Sequence, residues 1–212
     1  WGRDASLDGL RAACEKSLRD LDTDAIDLYQ LHRTDPRFSV LDQMAVLKAL
    51  HDEGLVRWVG LSNFTLAELD VAIEVLGAPG DGCLASVQNE FSPRCRVDAD
   101  VLTRCEETGI AFLPWSPLGG SKQAHEIGSH YAEFAVVGDE LGFTAQEVVL
   151  AWLLRMSPAM VPIPGATRPQ TVDSIVRSLD VELTDDQYAR LQATEPLPES
   201  IHQDGQPRSP LR

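Results

Sequence analysis

Short apolar runs alternate with longer amphipathic stretches along almost the whole chain. Between Ser6 and Leu21 the apolar residues return every three or four positions, which is the spacing of one helical face. The run from Ala25 to His32 is rich in Ile, Leu and Tyr and is typical of a strand. The same patterns predict five strands, over residues 25–32, 56–61, 85–88, 110–114 and 160–163, and seven helices, over residues 6–21, 39–53, 65–76, 97–107, 144–154, 169–179 and 185–193.

Four of the predicted helices start with a capping sequence. Ser39, Thr65, Thr144 and Thr184 are each followed three residues later by Asp, Glu, Glu and Gln, respectively. In such a capping box the hydroxyl and the later side chain each satisfy a backbone N–H group at the helix start. These positions therefore fix where four helices begin.

Strands and helices alternate, which predicts a parallel α/β sheet with crossover helices. The strand ends near residues 32, 62, 88, 115 and 164 are spaced as βα units, with an insertion at about residues 119–142 predicted as a loop and a short helix. A closed (β/α)8 barrel needs eight strands and about 250 residues, whereas five strands could form an open doubly wound sheet. No GxGxxG sequence follows a strand, and the first element is a helix without a preceding strand, so we favour part of a barrel. We assign residues 1–194 to this domain and the polar, Pro-rich residues 195–212 to a C-terminal tail.

Composition and charge indicate which kinds of molecule are not expected to bind this chain. The chain has 212 residues, 43% of them hydrophobic, and a net charge of −15. Such a charge repels phosphate backbones and anionic lipids, so neither nucleic acid nor a membrane surface is expected as a partner. The longest apolar run, Val148–Leu154, is too short to span a bilayer. The four cysteines form no CxxC pair and indicate reduced thiols in a cytoplasmic protein.

Polar or aromatic side chains stand at the carboxyl end of every predicted strand. Because the carboxyl ends of parallel strands share one edge, where ligands bind, we expect these groups to meet there. Each group alone also has an ordinary structural explanation, such as a turn, rim packing or a bond to loop backbone. The groups are His32, Ser62-Asn63, Gln88-Asn89, Trp115-Ser116 and the segment from Pro164 to Arg168.

These groups could each contact a ligand. The amide of Asn63 offers a donor and an acceptor to a planar carboxamide, and the indole of Trp115 can stack on a flat heterocycle. Gln88 needs hydrogen-bond partners, which a ligand amide or a neighbouring strand could supply. His32 can donate a hydrogen bond or act in acid–base chemistry. The segment Gly165–Gln170 suits a phosphate, and the alternative is that Thr167 caps the helix with Gln170.

Other catalytic arrangements find no support in the sequence. The histidines outside the strand ends lack metal spacing, and we expect His125 and His130 at the surface or in a lid. No Ser-His-Asp arrangement and no paired-carboxylate site can be identified. We therefore predict no metal site.

As a set, the strand ends resemble the aldo-keto reductase family. The similarity extends over about residues 5–194. It is carried by five segments: Asp27–His32, Val59–Phe64, Val87–Glu90, Trp115–Gly119 and Pro162–Arg168.

The resemblance implies a (β/α)8 barrel of which this chain holds strands 4–8 with their helices. It also implies NADPH-dependent reduction of an aldehyde or ketone, with His32 as the substrate-orienting catalytic residue. Ser62, Asn63 and Gln88 would hold the nicotinamide carboxamide, and Trp115 would stack on its ring. The remaining implied NADP(H)-binding residues lie along the phosphates and the adenosine: Ser116, Leu118, Gly165, Thr167, Arg168, Gln170 and Ser174.

Two departures from the family pattern affect the cofactor. Pro164-Gly165 stands where many members carry Lys-Ser, and Asp173-Ser174 stands where they carry Glu-Asn. Arg168 would then carry the preference for NADPH. The family's proton-donating Tyr and its partner Asp and Lys lie on the first three units, which have no counterpart here. We expect either that a longer protein supplies these units, about 90 residues in three units of about 30, or that the chain is a remnant.

Three functions stay open at this point. The first is an NADPH-dependent carbonyl reductase acting on a small-molecule substrate. The second is a nucleotide-binding regulatory barrel without turnover. The third is a barrel enzyme acting on a phosphorylated substrate, with Arg168 at its phosphate. The sequence indicates neither the substrate nor the oligomeric state.

Overall fold

The computed structural model describes residues 4–120 and 123–196, and these form two compact units. The first unit holds residues 4–89 and 100–112. The second holds residues 90–99, 113–120 and 123–196. Most of the predicted tail, residues 197–212, lies outside the described residues.

The first unit is a parallel sheet with crossover helices, as predicted. The elements are α1 (Leu7–Leu21), β1 (Ile26–Leu31), α2 (Val40–Asp52), β2 (Val56–Ser62), α3 (Leu66–Leu76), β3 (Leu84–Gln88), α4 (Ala99–Thr108) and β4 (Ala111–Phe112). The four strands lie in the order β1-β2-β3-β4, and every neighbouring pair is parallel. Helix α2 packs on β2, and α3 packs on β3.

The two faces of this sheet differ in chemistry. Register pairs Leu31 with Leu61, and Leu61 with Val87, on a buried apolar face. Side chains alternate along a strand, so the next residues lie on the opposite face. There Leu28 and Trp58 face each other and are 39% and 44% exposed. The row that follows on this second face is polar: Gln30, Gly60, Ser86 and, one step further, Ser62 and Gln88.

The prediction of five strands is wrong for the described residues, which contain four. The segment expected as the fifth strand, residues 160–163, makes a hydrogen bond from the Ile163 N–H to the Pro114 carbonyl but joins no strand ladder. Pro162 and Pro164 have no N–H group, so a regular ladder cannot form there. Pro114 likewise shortens β4, which covers two residues rather than the predicted five.

The second unit is mainly helical. Residues 119–142, predicted as a loop with a short helix, instead contain a 3-10 turn at Ala124–Glu126 and two helices. These helices pack against the one that follows them. The helices of this unit are α5 (Ile127–His130), α6 (Ala132–Leu141), α7 (Ala145–Met156), α8 (Pro169–Arg177, followed by a 3-10 turn at Ser178–Asp180) and α9 (Asp185–Gln192).

The predicted helix starts are confirmed. Thr65, Thr144 and Thr184 each form a complete capping box with Glu68, Glu147 and Gln187, respectively. The Ser39 hydroxyl caps α2 by accepting from the Asp42 N–H at 3.1 Å. A residue that satisfies the first backbone N–H groups thus marks the boundary of all four helices.

All four cysteines are free and buried. Burial raises the pKa of the Cys105 thiol to about 12. Within residues 4–120 and 123–196, no helix combines the length and the apolar character that a membrane crossing requires.

Candidate functional site

Three of the predicted site residues meet at the ends of β2 and β3. The Ser62 hydroxyl donates to the Gln88 carbonyl oxygen at 2.7 Å and accepts from the Asn63 Nδ2 at 3.0 Å. The same Nδ2 donates to the His32 carbonyl oxygen at 3.0 Å. The Asn63 backbone N–H donates to the Gln88 carbonyl oxygen. One hydrogen-bonded cluster therefore joins the carboxyl ends of β1, β2 and β3, while the His32 residue itself is exposed.

Asn63 adopts a left-handed backbone conformation with φ of 62°. Few residues other than glycine adopt this region, because Cβ then lies too close to the following carbonyl group. Ser116, at φ of 51°, is a second predicted site residue in this region, and Asp22 is the remaining non-glycine case within the described ranges. Strained backbone of this kind tends to occur at ligand sites, where the surrounding structure enforces it.

Asn89 holds the backbone immediately after Asn63. Its Oδ1 accepts from the Phe64 N–H at 3.0 Å, and its Nδ2 donates to the Phe64 carbonyl oxygen at 2.7 Å. Both residues are fully buried. Asn89 stands at a predicted strand end, but no local sequence pattern indicates its role, because it bonds backbone 25 residues earlier in the chain.

Gln30 extends the cluster along the sheet. The Gln88 Nε2 donates to the Gln30 Oε1 at 3.3 Å. Gly60 lies beside them on the strand between, where a Cβ atom would stand 2.6 Å from the Gln30 Cγ. No sequence signal marks Gln30 as a site residue, because only the strand register brings it beside Gln88.

Asp35, three residues after His32, anchors the loop that follows β1. Its carboxylate accepts from the Arg37 guanidinium, from the Arg37 N–H and from the Ala5 N–H. These bonds, first of all those from the Arg37 side chain, lower the pKa of the Asp35 carboxyl to about 2. The buried Gln43 amide also brackets the Asp35 backbone, with its Oε1 accepting from the Asp35 N–H at 2.9 Å. Asp35 is therefore held through both its carboxylate and its backbone, and these bonds fix the loop that follows His32.

In the second unit, Trp115, Ser116 and Leu118 lie in a tight turn. Trp115 forms an isolated parallel bridge with Glu90, and its carbonyl oxygen accepts from the Phe91 N–H at 3.5 Å. The Ser116 carbonyl oxygen accepts from the Gly119 N–H at 2.8 Å, which closes the turn. Leu118 lines a small cleft, together with Ser92, Pro93, Arg94, Gly119, Gln123, Ile127, His130 and Tyr131.

The start of α8 carries Gly165, Thr167, Arg168 and Gln170, all exposed. The alternative in which Thr167 caps this helix is wrong, because the N-cap residue is Arg168 and no side chain caps the helix. A Cβ atom at Gly165 would meet nothing within 4 Å. Within the described ranges, the Arg168 side chain makes no hydrogen bond or ion pair. This helix start therefore offers backbone N–H groups and an unpaired cation, the two features that bind phosphate.

Ser174, another predicted site residue, has a structural partner on the preceding helix. Its hydroxyl donates to the Glu147 Oε1 at 2.9 Å. Glu147 is buried, and its Oε2 accepts from the Thr144 N–H in the capping box of α7 and lies 3.4 Å from the Arg177 guanidinium. Burial opposes ionisation, but the hydrogen bonds from Thr144 and Ser174 and the charge of Arg177 leave the pKa of Glu147 lowered. Ser174 thus ties α8 to α7.

Comparison with known families identifies the chain. A model of the aldo/keto reductase family matches residues 1–196. The chain belongs to the aldo/keto reductase family. An uncharacterized oxidoreductase of Schizosaccharomyces pombe is 34% identical over 182 residues, which are 86% of this chain and 56% of that protein. This aldo/keto reductase chain therefore spans little more than half the length of its curated relative.

Solved aldo-keto reductase structures share the fold of the chain. The thermostable Tm1743, in complex with the inhibitor epalrestat, superposes with a TM-score of 0.78 at 24% identity, covering 90% of this chain and 68% of that structure. An aldo/keto reductase of Klebsiella pneumoniae in complex with NADP and acetate gives a TM-score of 0.76 at 24% identity, with coverage of 98% and 70%. A point mutant of Gox0644 in complex with NADPH gives 0.76 at 21% identity, with coverage of 98% and 70%. The parallel α/β arrangement of the first unit fits the barrel-type fold of this family.

The described residues contain no metal-binding cluster of three or more His, Cys, Asp or Glu side chains. His130, predicted at the surface, is exposed and lies 3.8 Å from Glu126 one helical turn earlier. The predicted site residues of the first unit therefore offer amides and hydroxyls, and those at the start of α8 offer backbone N–H groups and the Arg168 guanidinium.

Proposed function

We propose that this chain is part of an NADPH-dependent carbonyl reductase that converts an aldehyde or ketone into an alcohol. The observation that carries the proposal is the hydrogen-bonded cluster of Ser62, Asn63 and Gln88 beside the His32 carbonyl. Membership of the aldo/keto reductase family supports the reaction class. The NADP and NADPH in two solved relatives support the cofactor.

The residues of the first unit fit the nicotinamide end of NADP(H). Within the described residues, the Gln88 Oε1 accepts no hydrogen bond and can receive an N–H group of the nicotinamide carboxamide. The Ser62 hydroxyl is already used on the Gln88 carbonyl and the Asn63 amide, so we assign it to holding those two groups. When bound, the cofactor would supply the hydride to the carbonyl carbon of the substrate.

His32 is assigned to orienting the substrate carbonyl. It stands exposed at the end of β1, and its own carbonyl oxygen is tied to the Asn63 amide. A hydrogen bond from the imidazole to the substrate oxygen would stabilise the charge that develops there during reduction. The proton that completes the alcohol would come from a tyrosine that the family resemblance places on the first three barrel units.

The residues of the second unit are assigned to further cofactor contacts on the strength of the family resemblance. The unpaired Arg168 and the uncapped start of α8 fit the 2′-phosphate that distinguishes NADPH from NADH. Open space at Gly165 allows close approach of a ligand. Trp115 would stack on the nicotinamide ring, Ser116 and Leu118 would flank the pyrophosphate, and Thr167, Gln170 and Ser174 would line the adenosine.

The protein is further proposed to act in the cytoplasm on a small-molecule carbonyl compound. The four buried free thiols agree with a reducing compartment. The net charge of −15 supports the proposal that neither nucleic acid nor a membrane surface is a partner.

The test is a binding titration followed by a turnover assay. The protein is titrated with NADPH while its tryptophan fluorescence is recorded, which gives the Kd. Turnover is then measured as the loss of NADPH absorbance in the presence of a panel of aldehydes. We expect His32→Ala to lower kcat/KM while the Kd for NADPH stays constant, and His125→Ala, a change at an exposed histidine, to alter neither. Binding without turnover by the whole protein would instead favour a regulatory nucleotide-binding barrel. Failure to bind NADPH, with binding of sugar phosphates, would favour the third hypothesis.

A further inference from the structure

We propose that Gln30 is a positioning residue that sets which end of the Gln88 carboxamide faces the ligand, and so makes binding selective for a ligand that carries an amide N–H. The inference rests on the proposed function, because it assigns Gln88 to the nicotinamide carboxamide. Gln30 lies on β1, which contributes no other side chain to the proposed contact between Gln88 and the nicotinamide carboxamide.

The geometry links two strands that are not neighbours. Gln30 lies on β1 and Gln88 on β3, with β2 between them. Their side chains nevertheless bond, from the Gln88 Nε2 to the Gln30 Oε1 at 3.3 Å. The two amides can therefore meet only by passing over β2.

Gly60 provides that passage. It pairs with Gln30 on one side and with Ser86 on the other. A Cβ atom at this position would lie 2.6 Å from the Gln30 Cγ and 2.7 Å from the Ser86 Oγ. Since real Cβ atoms essentially never approach other atoms so closely, any larger residue would push the Gln30 side chain off the sheet. The bond to Gln88 would then be lost.

In the hydrogen bond between Gln30 and Gln88, Gln88 is the donor and Gln30 is the acceptor, and this direction determines which end of Gln88 is left for a ligand. A carboxamide has a donor end and an acceptor end, and rotation by half a turn exchanges them. Because Gln30 accepts through Oε1, it draws the Nε2 of Gln88 toward itself. The Gln88 Oε1 accepts from none of the described residues and is left to receive an N–H group. The Gln30 acceptor thus specifies a donor in the ligand.

Ser86 supplies a matched control on the same face. It is 3% exposed, and its hydroxyl has no hydrogen-bond partner among the described residues. It flanks Gly60 opposite Gln30 but makes no bond to Gln88. A change at Ser86 therefore disturbs the same row of the sheet without removing the acceptor that holds Gln88.

The experiment compares two ligands in four proteins. The ligands are NADPH and its analogue in which an acetyl group replaces the carboxamide, so that the analogue has no amide N–H. The proteins are the wild type, Gln30→Met, Gln30→Glu and Ser86→Ala. We expect Gln30→Met to weaken NADPH binding about tenfold, the value of one hydrogen bond of ordinary strength, and to leave binding of the analogue unchanged. Gln30→Glu keeps an acceptor and should restore NADPH binding, and Ser86→Ala should change neither affinity.

The outcomes separate the inference from the function on which it rests. If Gln30→Met weakens both ligands equally, Gln30 merely supports the sheet and the inference is wrong. An unchanged affinity for NADPH in Gln30→Met, or a failure of Gln30→Glu to restore it, also overturns the inference while the proposed function stands. If the wild type binds neither ligand, the proposed function itself fails. Urea unfolding of each variant shows that the folded protein is being compared.

Discussion

The Asn89 side chain bonds both backbone polar atoms of Phe64, at 3.0 Å from Oδ1 to the N–H and at 2.7 Å from Nδ2 to the carbonyl oxygen. Phe64 follows directly after Asn63, whose φ is 62°. A side chain at the end of β3 thus fixes the backbone beyond the end of β2. The strained Asn63 conformation is therefore held from outside its own strand.

Replacing Asn89 should therefore destabilise the fold. Asn89→Ala leaves a buried N–H group and a buried carbonyl group unsatisfied, and we expect a loss of about 3 kcal/mol in the free energy of unfolding. Asn89→Asp keeps the acceptor for the Phe64 N–H and should lose less. Urea denaturation followed by far-UV circular dichroism measures both. A loss below about 1 kcal/mol in Asn89→Ala would show that other contacts hold Phe64.

Substitutions at Asn63 should separate backbone strain from amide chemistry. Asn63→Gly and Asn63→Ala both remove the Nδ2 donor to Ser62 and His32. Only alanine carries the left-handed penalty of roughly 1–2 kcal/mol, part of which is offset by the greater freedom of glycine in the unfolded chain. We expect the alanine variant to be less stable than the glycine variant by about 1 kcal/mol.

The same two variants should lose NADPH affinity to an equal extent, because affinity depends on the missing amide. Thermal unfolding and fluorescence titration of the two proteins give the comparison. Normal cofactor affinity in Asn63→Gly would remove Asn63 from the proposed site and leave it as a turn residue only.

Asp35 should contribute an acid-sensitive part of the stability. Its pKa is about 2 in the folded protein, below the ordinary value of 3.8. Because the folded pKa is depressed, the contribution is complete above about pH 4 and is lost as the pH falls toward about 2. Asp35→Asn should lower stability at neutral pH and flatten its pH dependence in that window. Urea midpoints measured across the window test this. Asp24→Asn, at an exposed carboxylate, is the control and should keep the slope of the wild type.

Arg168 should affect the choice of cofactor without affecting stability. Its side chain is exposed and makes no bond to the described residues, so Arg168→Ala should leave the unfolding free energy unchanged. A charge-assisted bond to the 2′-phosphate implies a rise of about 10- to 100-fold in the Kd for NADPH. The Kd for NADH should not change. Arg19→Ala removes the same charge from an exposed position on α1 and should leave both affinities as they are. Equal weakening of NADPH and NADH in Arg168→Ala would contradict the assignment.

The local features of the fold could be predicted well from the sequence. Thr65, Thr144 and Thr184 mark their helix starts because a capping box is complete within four consecutive residues. The absence of a ladder around Pro162 could not be predicted from apolar pattern alone. Apolar periodicity reports burial, whereas a ladder needs N–H groups that Pro162 and Pro164 do not have.

Some residues of the candidate site could also be predicted from the sequence, whereas others could not. Ser62, Asn63 and Gln88 could be predicted because each stands at the end of its strand, and parallel strands bring such ends together. Gln30 and Asn89 could not, since their roles depend on which residues the register and the packing place opposite them. The left-handed φ of Ser116 likewise had no signal, because serine seldom adopts it.

The two prolines that stop residues 160–163 from joining a ladder also affect how this stretch meets other molecules. An extended apolar segment is a natural template for strand addition by a neighbouring chain, which is the first step of many aggregation reactions. Val161 and Ile163 are 48% and 39% exposed and would favour such an encounter. With Pro162 and Pro164 unable to donate, an incoming strand would find too few N–H groups to form a continuous set of bonds. The same residues that limit β-structure within the molecule therefore protect it against self-association through this segment.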